Sequence, residues 1–193
     1  MEFNFNYHNE LRGRHALLSP SSSAWLRYDR EKLLKFKLNS EAKKKGTRLH
    51  EWACETILLG RLQPEEDALG LYINDAIANG LKPEQPLQYS DSIFGTADAI
   101  GFDGTTLRIS DYKSGTINIY EEKQKDFEQL LIYAAIFCLE YMVDPKRIKI
   151  LLKVYQIDKA IKYTPLPEEI LEIMTIIQNH EITLSQIDKG GFV

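Results

Sequence analysis

The sequence predicts a mixed α/β fold, an α+β arrangement around a mixed sheet. Three observations carry that expectation. The hydrophobic period runs helix, strands, helix, strand, helix along the chain. Asp103-Gly104 sits between two apolar runs, a strong hairpin signal. A long helical stretch follows the hairpin, so the next strand must be reached by a crossover, which gives a mixed sheet with helices packed against it. The 193 residues suit one domain, 1–193, with its core at about 41–157. At 44% hydrophobic and 27% charged, the composition is that of an ordinary globular protein.

The elements follow in order. Ser19-Pro20-Ser21-Ser22-Ser23 reads as a turn and N-cap leading into a short helix through Ala24, Trp25, Leu26 and Tyr28. Residues 41–59 read as a helix whose apolar face is Leu49, Trp52, Ala53 and Thr56, with Ile57 beside it and Gly60 as its stop. A second helix covers 65–79. Three strands follow: Leu87–Tyr89, Ile93–Gly101 and Thr105–Lys113. Residues 121–141 return to helical spacing through Phe127, Leu130, Leu131, Ala134, Phe137, Cys138 and Tyr141. Arg147–Gln156 reads as a strand, and Leu166-Pro167 opens a last helix through Ile170, Ile173, Met174 and Ile177.

Composition narrows the function. A net charge of −4 excludes a uniformly basic nucleic-acid binder but allows a local patch. Such a patch exists: residues 27–48 hold nine cations against Asp29, Glu31 and Glu41, among them Lys43, Lys44, Lys45 and Arg48. Either this is a solvated helix face or a track for phosphates. No apolar run is long enough to cross a bilayer, and the first residues have no apolar signal core, so a cytoplasmic protein without a membrane is expected. Cys54 and Cys138 are too few for a zinc ribbon or a four-cysteine iron–sulfur cluster. On their helical positions they are expected to be buried small hydrophobes.

The hairpin brings chemistry together. A two-residue turn at Asp103-Gly104 would set Phe102 opposite Thr105 and Asp98 opposite Ile109. Side chains alternate faces, so Asp98, Asp111 and Lys113 share one, with the two carboxylates as diagonal neighbours about 7–8 Å apart at Cα. Two carboxylates at that spacing can converge on one divalent cation, and Lys113 can reach a group held there. The alternative is a polar sheet face with a cross-strand charge cluster. The core character of both strands speaks for the first reading, because an unpaired carboxylate is costly there.

Asp98 followed by Asp111-Tyr112-Lys113 resembles the PD-(D/E)XK nuclease signature, split across a hairpin as in the RecB-like branch. Gly46-Thr47-Arg48-Leu49-His50 resembles the upstream GxxxH helix of that branch, and Gln129-Leu130-Leu131-Ile132-Tyr133 its QxxxY motif. Together with His15 through Ser22, the chain is most similar to short, stand-alone RecB-like nucleases of phages and prophages, over roughly residues 14–156. The resemblance implies a restriction-endonuclease-like core, helix–three-strand meander–helix–strand, with extra helices at both ends. It implies a Mg²⁺- or Mn²⁺-dependent deoxyribonuclease, expected to be an exonuclease acting on linear DNA ends in recombination or repair, in a bacterial host cell. His50, Asp98, Asp111 and the Tyr112 backbone carbonyl would hold the metal. Lys113 would orient water or stabilise the transition-state charge. Gln129 and Tyr133 would support the active site and contact the DNA backbone, and Glu84, read as a turn residue before the first strand, would be a supporting or metal-site carboxylate. Lys43, Lys44, Lys45 and Arg48 would bind DNA. A homo-oligomer or a recombination partner protein fits the same resemblance. The competing readings are a catalytically silent, nuclease-like DNA binder and a nuclease-inhibiting protein.

Overall fold

The computed structural model describes residues 3–11, 14, 16–39, 48–113, 123–156 and 159–189. Its centre is a five-stranded mixed sheet: β1 (Lys82–Gln88), β2 (Phe94–Phe102), β3 (Thr106–Lys113), β4 (Lys149–Gln156) and β5 (Lys159–Tyr163), in that spatial order. β3 and β4 are parallel and every other pair is antiparallel. The helices are α1 (Arg30–Asn39), α2 (Arg48–Leu58), α3 (Ala68–Ala78), α4 (Lys123–Glu140) and α5 (Pro167–Lys189). α4 is the crossover between the parallel strands, as the connection rule requires.

Two apolar clusters cover the sheet. On one face Ile100, Leu107, Ile109, Ile150, Leu152 and Val154 pack with Leu130, Ala134 and Phe137 of α4, and α5 adds Ile170 and Ile177. On the other, Ala99 and Tyr155 pack with Ala53 and Ile57 of α2 and with Tyr72, Ile73 and Ala76 of α3. α3 begins at Asp67, whose side chain accepts from the Gly70 amide at 2.8 Å, a capping contact that satisfies one otherwise unpaired helix donor. No helix among the described residues is long and apolar enough to cross a membrane.

Several expectations are corrected. The helix expected over 41–59 is observed as Arg48–Leu58, and 41–47 lie outside the described residues. Its inward residues are Ala53, Thr56 and Ile57, whereas Leu49 and Trp52 are 43% and 44% exposed. Small residues let α2 lie close to α3, and the bulky pair is turned away. α1 lacks an apolar stripe, and only Leu33 is buried among its residues with described side chains, so periodicity did not reveal it. β5 was not anticipated, because its five residues are mostly exposed and carry no alternating apolar pattern. The short helix at Ser23–Arg27 is a 3-10 turn without a side-chain cap bond from Ser22.

The hairpin register also differs. Phe102 pairs with Leu107, not Thr105. Asp103 Oδ1 accepts from the amides of Thr105 and Thr106 at 2.9 and 2.7 Å, and these bonds hold a wider loop in which Gly104 takes φ +93°. A shift of two residues preserves every side chain's face. Asp98 therefore moves from a diagonal position to one directly opposite Asp111, just past the last ladder pair, Ala99 with Ser110.

Candidate active site

The site lies in a cleft of about 1300 Å³ whose lining includes His50, Glu84, Asp98, Asp111, Lys113 and Gln129. β2 and β3 bring the two aspartates. Both lie two residues beyond the buried Ile100–Ile109 pair and hence on the same side of the hairpin. Just past the last ladder pair, the Tyr112 amide donates to Asp98 Oδ2 at 3.1 Å. That bond fixes the Asp98 carboxylate between the strands. From Tyr112, the engaged backbone group the structure reports at Asp98 is thus the N–H. Its ring lies on the opposite face, stacked on Tyr72 at 6.0 Å between centroids.

β1 was expected to begin after Glu84, but it includes that residue. Pro83 pairs with Ala99 and Gln85 with Ala97, which leaves Glu84 at the rung facing Asp98. Its φ is +48°, a left-handed conformation that costs a non-glycine residue about 1–2 kcal/mol. Backbone strain of this kind, held by the strand on either side, is typical of functional positions. Here it accompanies a carboxylate delivered to the cleft. The prolines at 83 and 86 suit an edge strand, where missing N–H groups cost least.

α2 supplies His50 from the layer that covers the other sheet face. Its Nδ1 lies 3.3 Å from Asp98 Oδ2 and 4.0 Å from Glu84 Oε1. The hydrogen bond to Asp98 raises the imidazole pKa against the opposing effect of burial, with the charges of Glu84 and Asp111 adding to the rise. Glu84 retains 40% of its side-chain surface. Loss of water around it, followed by the Asp98 charge, still pushes its carboxyl up to about 7. A carboxyl that holds its proton so readily, withdrawn from water and beside a second carboxylate, would ionise more easily with a cation at hand.

Ligand atoms of His50, Glu84 and Asp98 all lie within 4.8 Å of one another. Donors on opposite sides of an octahedral Mg²⁺ stand about 4 Å apart, and somewhat more for a larger ion. Two carboxylates and an imidazole therefore fit a hard or borderline divalent cation after a small closure. Asp111 sits alongside, 3% exposed, with Lys113 Nζ 3.0 Å from its Oδ2. Lys113 Nζ also donates to Gln129 Oε1 at 2.9 Å.

The expected residues thus separate into groups. His50, Glu84 and Asp98 form one cluster, and Asp111, Lys113 and Gln129 a chain beside it. Tyr133, one helical turn beyond Gln129, is 2% exposed, and its hydroxyl donates to the Thr96 carbonyl. It ties α4 to β2 in the wall of the cleft. Gly95 makes this approach feasible, since a Cβ there would stand 2.6 Å from Pro20 Cδ and 3.2 Å from Tyr133 Cε1. Lys43, Lys44 and Lys45 lie outside the described residues, and of Arg48 only its place at the start of α2 is described. Cys138 is buried as expected, but Cys54 is half-buried and faces the cleft one turn after His50.

No protein-family model and no curated protein matches the chain. Among solved structures, it is similar to the crystal structure of LHK-Exo in complex with dAMP, at 10% identity and a TM-score of 0.42, over 89% of this chain and 91% of that one. It is also similar to the crystal structure of SSO0001, at 14% identity and a TM-score of 0.30, over 79% of this chain and 83% of that one.

Proposed function

We propose that this protein is a divalent-metal-dependent deoxyribonuclease of the RecB-like kind, an exonuclease that takes linear DNA by its ends. The observation that carries the reading is the meeting of His50, Glu84 and Asp98 donors within 4.8 Å, with Lys113 held beside them. Three donors from three elements, one on a strained backbone, favour a cation site over a solvated charge cluster.

His50, Glu84 and Asp98 would hold Mg²⁺ or Mn²⁺, with Asp111 completing the set from the next strand. A bound divalent ion supplies charge for the phosphoryl oxygens and acidifies a coordinated water. The chain's own residues do the rest. The Tyr112 N–H keeps the Asp98 carboxylate from rotating away. Gln129 and Asp111 hold the Lys113 ammonium at fixed positions on two sides. From there Lys113 donates hydrogen bonds to the attacking water or to the phosphate oxygen that gains charge, and preorganised donors of this kind need no rearrangement during the reaction. Tyr133 positions β2 through Thr96, so it acts on Asp98 indirectly. Phosphate engagement would fall to Lys43, Lys44, Lys45 and Arg48, with a salt slope of about −0.9 per duplex phosphate neutralised.

The deciding experiment incubates purified protein with Mg²⁺ or Mn²⁺ and end-labelled linear or covalently closed circular DNA. Metal-dependent loss of the linear substrate, sparing of circles, and abolition by Asp98→Asn are expected. Equal cutting of circles removes the exonuclease reading, and inactivity of the wild type with either metal removes the nuclease reading.

A further inference from the structure

A second cavity, of about 300 Å³, opens on the sheet between β3, β4, β5 and α3, and its lining includes Arg108, Lys153, Lys162, Asp75 and Ser110. Three cations from three adjacent strands meet there. Lys153 lies directly opposite Lys162 in the β4–β5 register, and Ser110 lies beside Lys153 on β3. Like charges facing each other across a ladder are destabilising. The fold compensates only in part. Lys153 Nζ donates to Asp75 Oδ2 at 2.5 Å, and Tyr155 donates to the same oxygen. Arg108 is drawn to Asp103 Oδ2 at 2.7 Å. Asp75 and Asp103 thus take up two of the three positive charges. Lys162 is exposed, and the Asp75 carboxylate, already hydrogen-bonded to Lys153 and Tyr155, feels its charge only at longer range.

The walls are not wholly polar. Leu81 and Leu151, the latter on the Lys153 face of β4, line the same cavity. A site with a cationic rim, a hydroxyl and an aliphatic wall has the features of a pocket for an anion carried on an apolar body. Its volume lies at the small end of the range for ligand pockets, enough for a phosphate with one ring attached.

We propose that this cavity binds a phosphate monoester attached to a small flat ring. The phosphate lies against Lys162 and Lys153, with Arg108 at the rim, and the ring rests on Leu81 and Leu151. The ligand class can reach the site as a free small molecule or as the phosphorylated end of a nucleic acid. The site is independent of the metal cleft and of the reading given to it.

The test is calorimetric titration of the whole chain in EDTA with inorganic phosphate, phenyl phosphate, and a 5′-phosphorylated tetranucleotide alongside its dephosphorylated form. Phenyl phosphate should bind at least tenfold more tightly than inorganic phosphate. Lys162→Glu should weaken phenyl phosphate at least tenfold, while Asp98→Ala leaves it unchanged. Lys162→Ala, which removes the like-charge pair, should melt no lower than the wild type and also lose affinity. If the tetranucleotide binds at least tenfold more tightly than its dephosphorylated form, the source is a nucleic-acid end. If it does not bind, the source is a free ligand. Absence of phenyl phosphate binding at millimolar concentration, or equal binding by Lys162→Glu, overturns the proposal.

Discussion

Replacing Glu84 by glycine should make the protein more stable and less functional at once. Glu84 holds φ +48° at the rung facing Asp98. A left-handed backbone costs an L-residue about 1–2 kcal/mol, and glycine escapes that cost. Glycine in a strand loses about 0.5–1 kcal/mol to greater freedom in the unfolded chain. The backbone balance is therefore a gain of about 0–1.5 kcal/mol. For a chain of this size, each kcal/mol moves Tm by about 2–4 °C, so Glu84→Gly should melt up to about 6 °C above the wild type without metal. Glu84→Ala loses the same carboxylate but keeps the strain, and should melt below the glycine variant. Both should lose the metal response. A ligand at a hundred times its Kd stabilises by about 2.7 kcal/mol, so saturating Mn²⁺ should raise the wild-type Tm by about 5–11 °C and leave both variants nearly unmoved. Differential scanning fluorimetry with EDTA or MnCl₂ reads both effects. A glycine variant less stable than the alanine variant would refute the strain argument. A full Mn²⁺ shift in either variant would refute the assignment of Glu84 to the metal set.

Other expectations follow from the same geometry. Asp98→Asn should abolish both the Mn²⁺ shift and DNA cleavage with little change in fold, and a retained calorimetric Mn²⁺ isotherm would count against it. Gln129→Ala releases one side of Lys113, so kcat should fall far more than KM rises, while metal binding stays intact; a pure KM effect would point instead to substrate contact. Gly95→Ala puts a Cβ 2.6 Å from Pro20 Cδ, and overpacking of this kind costs about 1–3 kcal/mol, so a Tm equal to the wild type would contradict the close approach. At Asp75, burial raises the carboxyl pKa, but the hydrogen bonds from Lys153 and Tyr155 and the charges of Lys153 and Lys162 outweigh it and the net shift is downward. A lowered carboxylate contributes stability above its unfolded pKa of about 3.9 and loses it as pH falls through the folded value. The stability gap between wild type and Asp75→Asn should therefore be full at pH 6 and shrink below about pH 4. A gap that stays constant down to pH 2 in urea titrations would exclude that linkage.

Some of this site is legible in the chain because it depends on parity alone. Asp98, Asp111 and Lys113 share a face under the expected register and under the observed one, since a two-residue slip never changes faces. The spacing of Gln129 and Tyr133 likewise survives any error in helix ends. The register itself depended on which amides the Asp103 carboxylate would bind, a choice of loop geometry that an Asp-Gly pair does not settle. Two nearby prolines and the lack of alternation hide the edge strand that carries Glu84. Its positive φ has no mark in the sequence at a non-glycine position. Leu49 and Trp52 carry helical spacing, yet α2 buries Ala53 and Thr56, because the space beside α3 admits small residues. The convergence of His50 from the helical layer, Glu84 from the edge strand and Asp98 from its neighbour joins segments far apart in sequence. Local periodicity can show which side each residue takes on its own element, but only the packing of α2 across the end of the sheet decides that their ligand atoms meet.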